Sequence, residues 1–183
     1  FTAEQESLKG IGIKKPTNIR QLPSTQAEVA QKRPIGDIIH LKTFSNHWYQ
    51  AVDQKGGHLG YVHHKHIGDI LFTEQENFKG IAINNPTIIR ALPSTQANRV
   101  ISLAAGSVIN VKSLSQHWYE ASININGRAI NGYIHRNHFN FLGRALREPT
   151  NIRESASTKV NVLETLTKGQ LIELKKYNEF WYE

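Results

Sequence analysis

Three lines of this chain repeat one another: KKPTNIRQLPSTQAEV at 14–29, NNPTIIRALPSTQANRV at 84–100 and REPTNIRESASTKVNV at 147–162. Their prolines are Pro16, Pro86 and Pro149. A glycine follows 20 positions later in every copy (Gly36, Gly106, Gly169), and a tryptophan 32 positions later (Trp48, Trp118, Trp181). Three landmarks at constant spacing in three copies limit the fold to one small unit used repeatedly.

Each unit reads as β. After the glycine come DIIHLK, SVINVK and QLIELK, where Ile39/Leu41, Ile109/Val111 and Ile172/Leu174 alternate with polar neighbours. Alternation at period two in residues of high β-propensity predicts a strand with one buried face. HWYQA, HWYEA and FWYE predict the next strand, and GYVHHKHI and GYIHRNHF the one after a turn. Only the linkers TAEQES and TEQEN suggest a turn or short helix. Short strands with frequent turns predict an all-β chain of small barrels or sandwiches.

The units run 1–71, 72–140 and 141–183. The first junction, GDILFTEQEN, is long, whereas the second unit runs almost directly into NFLGRAL, so units two and three are expected to pack more rigidly. The third copy stops at Trp181-Tyr182-Glu183 without a GYxH strand, which leaves its unit incomplete with an open edge. The opening FTAEQESLKG is similar to FTEQENFKG, the link between units one and two. A further unit is therefore expected before Phe1, and the chain reads as a cut piece of a longer array.

Composition narrows the chemistry. There is no cysteine, which removes thiol nucleophiles, disulfides and thiolate metal sites. No apolar run approaches the roughly 18 residues of a membrane helix. Lys and Arg number 22 against 15 Asp and Glu, a net charge of +7 that favours polyanionic partners. That charge is spread as +3, +3 and +1 over the three units, with no basic run interleaved with aromatics, which argues against nucleic acid.

The order PTNIR, LPST, glycine, WYxA, GYVH resembles the bacterial SH3 (SH3b) domain family, over two complete units and most of a third. The resemblance implies SH3-like barrels, here two complete and a third lacking its last strands. It also implies a secreted or wall-associated protein whose tandem modules target hydrolases, toxins or adhesins to peptidoglycan, teichoic acid or host-surface polymers. A more distant similarity to eukaryotic SH3 domains implies a groove at Trp48, His63 and His66, repeated at Trp118, His135 and His138. Histidines there replace the proline and tyrosine that would line a groove for Pro-rich peptides.

Strand parity bears on the same residues. Trp48 shares a face with Gln50, Trp118 with Glu120 and Trp181 with Glu183, so each tryptophan is expected on a face that water reaches, either as a stacking platform or as half-buried packing. The pairs His63/His66 and His135/His138 point to opposite faces in a strand unless a turn reunites them. They are read as polar groove contacts that titrate near neutrality or as solvent-facing side chains. No third ligand recurs with them, and all three aspartates (Asp37, Asp53, Asp69) lie in unit one, so no metal site and no cofactor is expected. Arg20, Arg90 and Arg153 close the PTxIR segment and are read as carboxylate or phosphate clamps, or as partners of a loop acid. No Ser-His-acid set recurs, so the chain is not expected to be an enzyme.

These readings converge on a non-catalytic, multivalent region that anchors a secreted bacterial protein to cell-wall glycan, peptide stem or anionic polymer. An adhesin segment on host glycosaminoglycan or protein, and a spacer or autoregulatory domain of a wall hydrolase, stand beside it.

Overall fold

In the computed structural model, which describes residues 7–176, 178 and 180–183, the chain is all-β. The first repeat contributes β1 (Ser7–Gly12), β2 (Thr17–Arg20), β3 (Val29–Arg33), β4 (Ile38–Thr43), β5 (Trp48–Val52), β6 (His58–His63) and β7 (Ile67–Ile70). They form one antiparallel sheet in the order β3-β2-β6-β5-β4-β1-β7. Residues from β2, β4, β5, β6 and β7 (Ile19, Ile39, Leu41, Ala51, Val62, Ile67) share one buried cluster, so the sheet wraps around a single core. The alternation read in DIIHLK is the cause: Ile39 and Leu41 point inward and their neighbours do not.

The second repeat follows the same plan with β8 (Asn77–Ala82), β9 (Thr87–Arg90), β10 (Arg99–Leu103), β11 (Val108–Ser113), β12 (Trp118–Ile125), β13 (Arg128–His135) and β14 (Phe139–Arg144). Its β12–β13 hairpin is longer and closes on Asn126-Gly127, both at positive φ. That backbone requirement is why an Asn-Gly pair stands there. In all three repeats the peptide bond before the landmark proline is cis (Pro16, Pro86, Pro149). The segment TEQEN forms a bend rather than a helix, and all of TAEQES but Ser7, the first residue of β1, lies outside the described residues. Among the described residues no helix is long and apolar enough to cross a membrane.

The two junctions differ in kind. The first residues of β14 pair with β8 and its last with β17 (Leu171–Leu174) of the third repeat, so β17 extends the second repeat's sheet to eight strands, in the order β10-β9-β13-β12-β11-β8-β14-β17. The rest of the third repeat is a separate ladder of β15 (Thr150–Arg153) with β16 (Val162–Leu166). Between this ladder and β17 lies a cavity of about 540 Å³ lined by Ile152, Leu174 and Trp181 among others. The first junction is packed as well. Ile11 of the first repeat is buried with Leu114 and Trp118 of the second, flanked by Ile38, Leu71 and Tyr133. Leu71 of the linker supplies part of that contact.

Candidate functional site

The aromatic and histidine positions are brought together by strand register. Trp48 on β5 stands directly opposite His63 on β6, and Trp118 on β12 opposite His135 on β13. Cross-strand partners on one face touch. The imidazole of His63 meets the indole of Trp48 edge-on at 5.0 Å between centroids, and His135 meets Trp118 at 5.2 Å.

A 3₁₀ turn follows each of these histidines, His64–His66 in the first repeat and Arg136–His138 in the second. It folds the HxxH pair back onto one side: His63 and His66 lie 5.9 Å apart, His135 and His138 5.7 Å. The first histidine of each pair caps its turn. His63 Nδ1 accepts the N–H of Lys65 at 3.1 Å, and His135 Nδ1 that of Asn137 at 3.3 Å. An accepting Nδ1 is incompatible with imidazolium, whose two nitrogens both donate.

In the first repeat four imidazoles gather at this corner. His47 lies 5.5 Å from His64 and 6.4 Å from His63, and His63 lies 4.8 Å from His64. Burial, then the charges of His64, His66, Lys65 and His47, lower the pKa of His63. Burial together with Lys14 and Arg20 lowers that of His66. In the second repeat burial, His138 and His117 lower His135, and burial with Arg90 lowers His138. The groove histidines are therefore neutral donors and acceptors at neutral pH and charge only in acid. Among the described residues no group of three or more His, Asp and Glu is arranged to hold a metal ion.

The two grooves are not equally accessible. On the first repeat Leu22 is 63 % exposed, Phe44 50 % exposed and Trp48 partly exposed. On the second, the matching Trp118 is 8 % exposed and Leu114 only 1 %. The expectation of a water-facing tryptophan in every copy is thus corrected at Trp118. Strand parity chose its face properly, but the first repeat covers that face. Trp181 is partly exposed and borders the open cavity of the third repeat, with Phe180 where the other copies have histidine.

The cover is anchored by an acid that no local pattern marked. Asp69, on β7, accepts hydrogen bonds from Ser115 Oγ at 2.8 Å and from the His117 N–H at 3.0 Å, and its other oxygen lies 2.9 Å from His117 Nδ1. Ser115 donates to the aspartate and not to the imidazole, so the three do not form a nucleophile–base pair. Burial opposes ionisation of Asp69, but the bonds from His117 and Ser115 outweigh it and hold the carboxyl below its ordinary value. A depressed carboxyl pKa stabilises the folded state above the unfolded value and loses that contribution as pH falls through the folded one. The junction should therefore keep its full strength down to about the ordinary aspartate value of 3.8 and loosen progressively below it. Hydrogen-exchange rates at Ile11 and Leu114, followed from pH 6 to pH 2, will show the transition, and Asp69→Asn should remove it.

The recurring arginines have a common partner in the backbone. Arg20 donates to the carbonyl of Ala27, Arg90 to Ala97 at 2.8 Å and Arg153 to Val160 at 2.9 Å, each seven residues on. Each guanidinium thus ties down the loop that carries LPST or its counterpart SAST, and this bond accounts for the recurrence; a loop acid is not the partner. Their charges lie close enough to His66 and His138 to act on both. In the loops themselves Ser24, Ser94 and Ser157 accept the N–H two residues on, as turn chemistry predicts.

No family model matches the chain, and no curated protein matches it. Two solved structures are similar to it. NlpC1 from Trichomonas vaginalis is 13 % identical over 76 % of this chain and 47 % of its own, with a TM-score of 0.29. NlpC2 from the same organism is 11 % identical over 82 % of this chain and 53 % of its own, also with a TM-score of 0.29. The chain spans about half the length of these two structures.

Proposed function

We propose that this chain is a non-catalytic binding region that holds a secreted bacterial protein on a cell-wall polymer, peptidoglycan or teichoic acid. The SH3b-like order of its motifs suggests the setting. One observation carries the reading: on the first repeat, Trp48, Phe44 and a group of neutral imidazoles share an open face on a chain of net charge +7. An aromatic ledge rimmed by neutral hydrogen-bonding groups suits sugar rings and amides, while the basic surface raises the local concentration of an anionic polymer.

The covered Trp118 changes the expected valency. Of the ledges of the first two repeats only that of Trp48 is open, so binding rests on one ledge and not on the avidity of two. Sedimentation with purified walls tests the reading. Trp48→Ala is expected to weaken retention by at least tenfold while the fold persists, because that side chain is only partly buried. Undiminished retention of the folded variant would remove the ledge from the function.

A second reading, a spacer or autoregulatory segment of a wall hydrolase, is favoured by the junction itself, where the ledge serves to join repeats. On that reading neither the parent chain nor Trp48→Ala sediments with walls.

A further inference from the structure

The second repeat shows what its ledge binds, because a piece of the first repeat is bound there. The segment Asp69–Phe72 lies along the corner made by Leu114, Ser115, His117 and Trp118. Its carboxylate takes the Ser115 hydroxyl and the His117 N–H and imidazole. Two residues on, Leu71 packs against the cluster of Leu114 and Trp118. The Phe72 N–H then donates to the Leu114 carbonyl at 2.9 Å. This is an extended peptide recognised through an acid and, at i+2, an aliphatic side chain.

The first repeat carries the same corner. Phe44, Ser45, His47 and Trp48 match Leu114, Ser115, His117 and Trp118, and the turn is closed by the same bond, Ser45 N–H to Trp48 carbonyl at 3.0 Å and Ser115 N–H to Trp118 carbonyl at 3.0 Å. Here the His47 N–H donates to Ser45 Oγ at 3.4 Å. Phe44 is 50 % exposed where Leu114 is 1 % exposed. The third repeat lacks this chemistry, since Asn178 and Phe180 replace the serine and histidine and the Asn178 side chain fills the turn by accepting from the Phe180 and Trp181 N–H groups.

We propose that the Phe44–Ser45–His47–Trp48 corner binds an acidic peptide in extended form, with the pattern Asp-x-aliphatic. The carboxylate bridges Ser45 and His47, the aliphatic side chain covers Phe44 and the edge of Trp48, and the next N–H reaches the Phe44 carbonyl. This deepens the proposed function and rests on its reading of the Trp48 face: within a wall polymer, the carboxylate-bearing peptide is the recognised part, not the sugar or the phosphate.

The test uses the full chain and a blocked hexapeptide, GDILFT, the sequence of residues 68–73. In amide-resolved NMR titrations GDILFT is expected to shift Ser45, His47 and the Trp48 indole with one peptide per chain. GNILFT and the double variant Ser45→Ala/His47→Phe should each bind at least tenfold more weakly. Equal binding of the two peptides overturns the proposal, as does unchanged binding by the double variant, or shifts confined to Ser115 and His117. Should the double variant not fold, the comparison of the two peptides decides alone. Wall sedimentation is scored separately. Walls retained without peptide binding sink this site and spare the function, whereas peptide binding without wall retention does the reverse.

Discussion

Alanine at Gly132 is expected to unfold the second repeat, and alanine at Gly60 the first. A Cβ at Gly132 would stand 2.5 Å from the Arg90 carbonyl oxygen and 2.6 Å from Ile89 Cγ2. At Gly60 it would stand 2.5 Å from the Arg20 oxygen and 2.8 Å from Ile19 Cγ2, on a backbone at φ +139°. The obstacles are the backbone of β9 or β2 and a fully buried isoleucine, so neither can step aside. The cause is the crossing of strands: β13 meets β9 at Tyr133–Arg90 and β6 meets β2 at Tyr61–Arg20. Overpacking of this kind costs about 3 kcal/mol or more. Urea unfolding of each variant will show it as a lowered midpoint. Gly106→Ala is the control, because no atom lies within 4 Å of its Cβ and only the strain of φ +85° remains.

Trp118→Ala is the second large effect. A tryptophan 8 % exposed, packed with Ile11 and Leu114, leaves a cavity whose cost is about 3–5 kcal/mol. The loss is shared between the second repeat and its junction with the first, so two readouts should move together: the unfolding midpoint, and protease cutting within residues 71–76. Trp48→Ala, at the same position of the first repeat but only partly buried, should leave both nearly unchanged. If the two substitutions cost the same, the junction described here is not formed in solution.

Much of this architecture was legible in the chain. The constant spacing from proline to glycine to tryptophan marks the repeats, and the alternation of Ile39/Leu41 and Ile109/Val111 marks strands that do bury those residues. Asn126-Gly127 announces its own turn. What was hidden is what depends on contacts distant in sequence. Parity assigns Trp118 to a face but cannot say that Ile11, more than a hundred positions earlier, lies over that face. Asp69 sits in a junction with no motif, and its partner His117 is 48 residues away. The arginines recur for a carbonyl, and a backbone acceptor leaves no trace in side-chain identity. The His63/His66 pair needed a turn to reunite, and that turn is stabilised by His63 itself through a bond to a main-chain N–H.

The strand shared by the second and third repeats has a consequence for how such a chain is cut and copied. Within one sheet, β14 pairs with β8 of its own repeat through its first residues and with β17 of the third repeat through its last. The unit of sequence duplication is therefore not the unit of independent folding on that side. A scissile bond or recombination point placed at the sequence boundary after Asn140 would split a strand that two modules hold in common. Any exchange of modules that respects both must instead carry the whole of Phe139–Arg144 with its two neighbours.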